Sequence, residues 1–97
     1  MADISVHPEA EAEYEGALGW YLERSIRAAD RFELAFDEAL RSIAENPKRF
    51  PVLDAIHRYS ILRRYPYSVI FRFDDDVVRV VAVAHSKRLP GYWRDRV

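Results

Sequence analysis

The sequence predicts an α+β fold in which an N-terminal strand is followed by a two-helix hairpin packed on an antiparallel sheet, which a three-stranded C-terminal meander completes. Apolar residues recur every three or four positions from residue 10 to 43 and every second position from 59 onward. Ile4 and Val6 lie before the first helical pattern and are typical of a short additional strand. At 97 residues the chain is expected to form a single domain, residues 1–97, because two halves would be too small to bury useful cores.

Two amphipathic helices account for the first half of the chain. Pro8 suits the first turn of a helix, where its missing N–H costs nothing, and the apolar stripe behind it runs to about Arg24. Residues 25–30 are interpreted as a turn. The second helix should end at Asn46, because a residue before proline avoids the helical conformation. Its apolar face consists of Phe32, Ala35, Phe36, Ala39, Leu40 and Ile43.

Three strands follow, predicted over residues 59–63, 67–73 and 77–84, and short connections make them antiparallel neighbours. Residues 74–76, three consecutive aspartates, form the last turn. The third strand is apolar on nearly both faces, as a central strand covered on both sides would be. The antiparallel meander therefore completes the sheet on which the helical hairpin packs. The expected core includes Tyr14, Leu18, Phe32, Phe36, Leu40, Val69, Phe71, Val80 and Ala82.

The near-neutral net charge of −1 hides a strong asymmetry along the chain. Residues 1–46 contain eleven acidic residues and four arginines, whereas residues 47–97 contain eleven lysines and arginines and five acidic residues. The folded protein should therefore carry one acidic and one basic face, and the basic face is a candidate for anionic partners. Ordinary solvation of a surface with segregated charges is the alternative interpretation.

Composition also limits the classes of site and compartment. Cysteine is absent, the N-terminus lacks a signal-peptide pattern, and no apolar run approaches a membrane span. We therefore expect a cytoplasmic protein with no membrane partner. Neither a glycine-rich phosphate loop nor an HExxH motif is present. His7, His57 and His85 lack the spacing of metal ligands, so neither a metal nor a small-molecule cofactor is expected.

The element order and three segments resemble toxins of the RelE/ParE superfamily of type II toxin–antitoxin systems. The most specific part is the last strand running into His85-Ser86-Lys87-Arg88 and then Pro90-Gly91-Tyr92-Trp93. The resemblance covers almost the whole chain and implies a cognate antitoxin that wraps and neutralises the toxin. The segments that carry it are VHPEAEAEYEGALGWYLE, YPYSVIFRF and VVAVAHSKRLPGYW.

Two activities occur in this superfamily, and the resemblance is closer to ParE, the plasmid stabilisation type. RelE-like members cleave messenger RNA on the ribosome, whereas ParE-like members inhibit DNA gyrase. The positions that match the basic strand residues of the ribonuclease pattern are Ser60, Leu62 and Ser68. Arg88 matches that pattern well and Tyr92 only loosely. A gyrase inhibitor is therefore favoured over an enzyme, with a ribosome-dependent endoribonuclease or a decayed, non-toxic antitoxin-binding homologue as alternatives.

Two sets of candidate residues follow. If the chain is a nuclease, its catalytic candidates are His85, Lys87, Arg88 and Tyr92, because cleavage needs proton-transfer groups and cations for the phosphorane charge. His85 could instead bond only to backbone. The candidates for holding the acidic antitoxin are Arg63, Arg64, Arg72, Lys87 and Arg88. Arg63 and Arg64 beside two tyrosines would alternatively suit a nucleic-acid surface.

Overall fold

The computed structural model describes residues 1–97 and confirms the predicted class and element order. Two helices lie between an N-terminal strand and a three-stranded meander. None of the helices is long and apolar enough to cross a membrane. The elements are β1 (Asp3–Val6), α1 (Pro8–Arg24), α2 (Ile26–Glu45), a 3₁₀ turn (Pro47–Arg49), β2 (Arg58–Ile61), β3 (Tyr67–Asp74) and β4 (Val77–His85).

The four strands form one sheet in the order β1-β4-β3-β2. The meander is antiparallel, as predicted, but β1 pairs parallel to β4, so the sheet as a whole is mixed. A parallel pair needs a long crossover connection, and the two helices supply part of it. Asp75 and Asp76 turn the β3–β4 hairpin with φ of 50° and 59°, the left-handed geometry that suits a two-residue hairpin.

The predicted turn over residues 25–30 is wrong, because one residue, Ser25, separates the two helices. Its backbone N–H donates to Tyr21 O and ends α1, while its Oγ accepts the Ala28 N–H at 2.9 Å and begins α2. One serine thus provides hydrogen-bond partners for terminal backbone groups of both helices. The first strand of the meander is also shorter than predicted, since β2 ends at Ile61 and leaves Arg63 in the next turn.

The main core lies between the helical hairpin and one face of the sheet. Of the predicted core residues, Phe32, Phe36, Val69, Phe71 and Val80 are buried there, and Tyr14, Leu18 and Leu40 pack half-buried at its margin. The buried cluster consists of Ala10, Ala17, Phe32, Phe36, Ile43, Leu62, Val69, Phe71, Val78, Val80 and Val83.

Ala82 is buried, but on the opposite face of the sheet, which we call the far face. Ile70 pairs with Ala82 and Phe71 with Val80, so Val81 is the extra residue of a β-bulge. A bulge interrupts the alternation of side chains along a strand. Val81 and Ala82 consequently share a second, smaller core with Ile70 and Trp93.

We expect Phe36→Ala to lower the free energy of unfolding by about 3–5 kcal/mol, because truncating a buried aromatic ring leaves a cavity. Phe36 is 6% exposed and its ring centroid lies 4.3 Å from that of Tyr14. The matched control is Leu34→Ala on the same helix, where the side chain is 59% exposed and the change should cost about 0.5 kcal/mol or less. Equal losses in urea denaturation would contradict this packing.

Candidate functional site

The segment after β4, residues 86–97, packs back on the protein through Trp93. Trp93 is buried against Ile70, Val81 and Ala82 on the far face. Its ring meets the His57 ring edge-on at a centroid distance of 4.6 Å. Aromatic rings are common anchors of this kind, because they bury a large apolar area. Trp93 therefore fixes the position of the neighbouring functional candidates.

A single carboxylate on α1 holds this segment to β4. Glu13 accepts the Val83 N–H at 3.0 Å, Arg88 Nη1–H at 3.0 Å and the Tyr92 hydroxyl at 2.7 Å. It also accepts two bonds from Arg96, at 2.9 and 3.0 Å. Arg96 Nη1 donates in addition to Val81 O at 2.9 Å. We call Glu13 together with these five side chains and backbone groups the Glu13 network.

The Glu13 network is largely shielded from solvent, and this shifts its ionisation. The Glu13 side chain is 13% exposed and that of Arg96 is 11% exposed. Burial opposes ionisation of Glu13, but the hydrogen bonds from Arg96, Tyr92 and the Val83 N–H outweigh it and lower the pKa of the carboxyl. Burial and the bond to Glu13 raise the pKa of Tyr92 to about 12. At neutral pH Glu13 is therefore ionised and Tyr92 is a protonated donor.

Two of the four nuclease candidates belong to this network. Tyr92 donates its proton to Glu13, and the Arg88 guanidinium stacks 3.7 Å from the Tyr92 ring centroid while also pairing with Glu13. Arg88 keeps a half-exposed side chain, but its charge is compensated. A tyrosine that stays protonated to about pH 12 offers no base at neutral pH.

The other two nuclease candidates lie at the end of β4. His85 Nδ1 accepts the backbone N–H of Lys87 at 3.0 Å, and the His85 ring meets Tyr67 edge-on at 5.1 Å. One ring nitrogen of His85 thus bonds to backbone, as in the alternative interpretation of this residue. Lys87 is exposed. The structure brings all four candidates to the C-terminal end of β4 and the segment that follows it.

The five candidates for antitoxin binding do not form one surface. Arg63 and Arg64 are exposed in the β2–β3 turn, and Arg64 has a positive φ of 72°. They lie at the same end of the sheet as Lys87, because the start of β3 pairs with the end of β4. Arg72 lies five residues further along β3, about 17 Å at strand spacing. Arg88 is held by Glu13, so Arg63, Arg64 and Lys87 make up the exposed basic end.

An apolar groove on the far face runs beside this basic end. Its volume is about 250 Å³, and it lies between the edge strand β2 and the segment after β4. Exposed Leu53, Ile61 and Leu89 line it together with Tyr59, Ile70 and Trp93. Charge-based reasoning missed this groove. The signal for this groove in the sequence was the presence of apolar residues outside the predicted core.

Sequence reasoning also missed a paired acid and histidine in the connector before β2. His57, 2% exposed, lies with Nδ1 2.9 Å from Asp54 Oδ1. The N–H groups of Ile56 and His57 bond to the same carboxylate, and Arg94 Nε donates to Oδ2 at 3.3 Å. The bond from the Ile56 N–H, together with those from His57, holds the pKa of Asp54 well below its usual range. The Asp-x-x-His spacing was the only sequence signal for this pair.

The structure contains no group of three or more His, Asp or Glu side chains that could hold a metal ion. Comparison with known proteins shows the family. Residues 4–90 match the family model described as the ParE toxin of the type II toxin–antitoxin system parDE. The chain belongs to the ParE toxin family. The predicted resemblance to RelE/ParE toxins, closer to ParE, is thereby confirmed.

The relatives of this ParE-family chain match it over about nine tenths of its length. It is 27% identical over 89 residues to Toxin ParE2 of two Mycobacterium tuberculosis strains, CDC 1551 and H37Rv, covering 91% of this chain and 85% of each relative. A solved structure described as the chromosomal ParDE TA system from P. aeruginosa superimposes with a TM-score of 0.65. At 14% identity, with 90% of this chain and 98% of that chain covered, this match supports the fold.

We expect Glu13→Gln to destabilise the ParE-family fold by about 2–3 kcal/mol at pH 7, because charge-assisted hydrogen bonds are lost within a shielded site. The lowered pKa of Glu13 means that its stabilising effect is fully present above pH 4.5 and is lost as the pH falls below that value. The difference from the unmodified protein should therefore shrink toward pH 3.

Chemical denaturation at pH 7 and pH 3 measures this difference. The matched control is Glu11→Gln, which removes an exposed carboxylate from the same helix. It should change the free energy of unfolding by about 0.5 kcal/mol or less at either pH. A difference for Glu13→Gln that did not depend on pH would argue against an ionised carboxylate at the centre of the network.

Proposed function

We propose that this ParE-family toxin arrests growth by inhibiting DNA gyrase through surface contact and that a cognate antitoxin holds it inactive. The observation that carries the choice between activities is the Glu13 network. Glu13 binds Arg88 and Tyr92, the two positions that match the ribonuclease pattern. The basic strand positions of that pattern hold Ser60, Leu62 and Ser68.

The chemistry of RNA cleavage supports the same choice. Attack by a ribose 2′-hydroxyl requires a base, an acid for the leaving oxygen and uncompensated cations for the phosphorane. Tyr92, with a pKa of about 12, offers no base at neutral pH, and the charge of Arg88 is balanced by Glu13. His85 and Lys87 remain, which is an incomplete set. An inhibitor that acts through its exposed surface needs none of these groups to react.

Supercoiling assays with the purified toxin test this proposal. We expect relaxed plasmid to accumulate as toxin is added to gyrase, and antitoxin added first should abolish the effect. Primer extension on messenger RNA after induction should reveal no new ends within codons. Gyrase unimpaired at a large molar excess of folded toxin would refute the proposal. Cleavages within codons would favour the ribonuclease, and induction without growth arrest would favour a non-toxic homologue.

We further propose that the antitoxin places an acidic, partly apolar segment across the exposed basic end and the adjacent groove. Arg63, Arg64 and Lys87 supply positive charge without an acidic partner inside the protein. The groove of about 250 Å³ supplies apolar area, and the outer side of the edge strand β2 is paired with residues 51–53 only at its start, which leaves its end toward Ile61 open. An extended segment can add to such an edge as a strand. Charge would then determine the rate of encounter, and burial of apolar side chains would contribute much of the affinity.

Reversing Arg63 and Arg64 to Glu should slow association with the antitoxin by about tenfold at low salt and reduce its salt dependence, because electrostatic steering is lost. The matched control is the double change of Arg41 and Lys48 to Glu, two exposed cations away from the basic end. Stopped-flow or surface-binding kinetics measure the association rate and its salt dependence for both variants. An unchanged rate and salt dependence for the first variant would refute the charged-face model.

A further inference from the structure

The outer side of β1 carries backbone groups that have no partner inside the protein. β1 lies at one end of the sheet and pairs with β4 alone. The N–H groups of Asp3 and His7 donate to carbonyl oxygens on the β4 side, at 3.3 and 2.8 Å. Successive residues of a strand direct their backbone groups to opposite sides, so Ile4 and Val6 direct theirs away from β4. An edge of this kind is a template for pairing with another strand.

The unpaired part of β1 is short, because both of its ends are closed. Ala2 N–H donates to Ala44 O at 2.9 Å, and Pro8 has no N–H to donate. What remains is the outward N–H and C=O groups of Ile4 and Val6, which we call the β1 edge. All residues of β1 are exposed. The β1 edge is therefore accessible to a partner strand with a similarly short set of open groups.

One antiparallel register pairs two copies of the β1 edge completely. With Ile4 opposite Val6 of a second copy, every outward N–H of one copy meets an outward C=O of the other. Placing Ile4 opposite Ile4 would leave Val6 opposite Ala2, whose N–H is already used. Placing Val6 opposite Val6 would leave Ile4 opposite Pro8, which has no N–H. The complete register is symmetric about Ser5, so two copies form a closed two-fold interface.

The apolar side chains of β1 fit this register on the helix side of the sheet. Ile4 and Val6 pair with Val78 and Val80 of the main core, so they lie on the same side as the helices. Ile4 is 37% exposed and Val6 is 36% exposed. In the complete register each would pack against the other across the interface, and cross-strand pairs of this kind stabilise a sheet.

The polar side chains fit the same register on the far face, where Asp3 would lie opposite His7 of the second copy. Asp3 is exposed and forms no ion pair within the protein. His7 Nδ1 accepts the Glu9 N–H at 3.1 Å, so Nε2 carries the proton of the neutral ring and can donate. His7 keeps an extended backbone, with φ of −62° and ψ of 139°. A carboxylate acceptor would thus meet an N–H donor at both ends of the interface.

We propose that β1 is a self-association site, at which two copies of this chain pair antiparallel and join their sheets into one. The groove beside β2 lies at the opposite edge of each sheet, so the dimer leaves it open. Because the β1 edge is short, the association should be weak, with a dissociation constant on the order of 100 µM. This site is independent of the inhibitory activity proposed above.

Sedimentation equilibrium of the full chain from about 10 µM to about 1 mM, a range that brackets this dissociation constant, tests the proposal. We expect a monomer–dimer equilibrium, with amide exchange at Ile4 and Val6 slowing as the concentration rises. Val6→Pro removes an outward N–H and leaves the bonds from β1 to β4 in place. It should abolish dimerisation over this range, and circular dichroism checks that the variant is folded.

Exchanging the Asp3–His7 pair tests the register without altering the backbone. Asp3→Lys should weaken dimerisation by about fivefold or more, because an acceptor is lost at both ends of the interface. His7→Asp keeps an acceptor at the start of α1 and should weaken dimerisation as well, because it faces Asp3. The double variant places a lysine opposite an aspartate and should restore the affinity. The matched control is Glu15→Lys, the same change of charge at an exposed position on α1, which should alter affinity by about twofold or less.

The possible outcomes separate the occupants of the β1 edge. A chain that stays monomeric to about 1 mM, about tenfold above the expected dissociation constant, would overturn the proposal. A dimer that tolerates both Val6→Pro and the single charge changes would lie elsewhere and would overturn it too. If Val6→Pro does not fold, the charge exchange decides alone. Slowed exchange at Ile4 and Val6 only when the cognate antitoxin is added would assign the β1 edge to the antitoxin instead.

Discussion

The Glu13 carboxylate is the interaction on which the arrangement of this protein's C-terminal half depends. It lies on α1 and binds the backbone of β4 as well as Arg88, Tyr92 and Arg96. A charge shielded in this way is tolerable only because all of its strong acceptor positions are used. The same carboxylate therefore joins helix, sheet and C-terminal segment, and it decides which cations remain available to partners.

The Glu13 network limits which cations near the C-terminus are available to a partner. In a ribonuclease of this superfamily, basic and phenolic groups near the C-terminus would meet a phosphate. Here the Glu13 carboxylate binds both Arg88 and Tyr92. The exposed cations that remain lie in the β2–β3 turn and at Lys87. The proposed inhibition by surface contact is consistent with this distribution of charge.

The bulge at Val81 determines which side chains of β4 lie on the far face. Because Val81 and Ala82 both point away from the helices, β4 contributes to two cores and can hold Trp93. The groove beside β2 is lined by far-face side chains and by Trp93 itself, and the cavity between the connector before β2 and the end of β3 is lined in part by His57, whose ring Trp93 contacts. An aromatic anchor and one extra strand residue thus create surfaces that a regular two-layer fold would lack.

Fold class, element order, most of the main core and the family resemblance can be predicted from the amino-acid sequence alone. These follow from apolar periodicity and from contiguous motifs, which are local properties of the chain. Three features became visible only in the folded protein: Ser25 alone separates the helices, β1 runs parallel to β4, and Ala82 faces away from the helices. The same is true of the Glu13 network, whose Glu13–Arg96 pair joins residues 83 positions apart. Periodicity specifies which face of an element is apolar, but it does not specify which polar groups meet when those faces are buried. That depends on how the packed elements bring distant side chains within hydrogen-bonding distance.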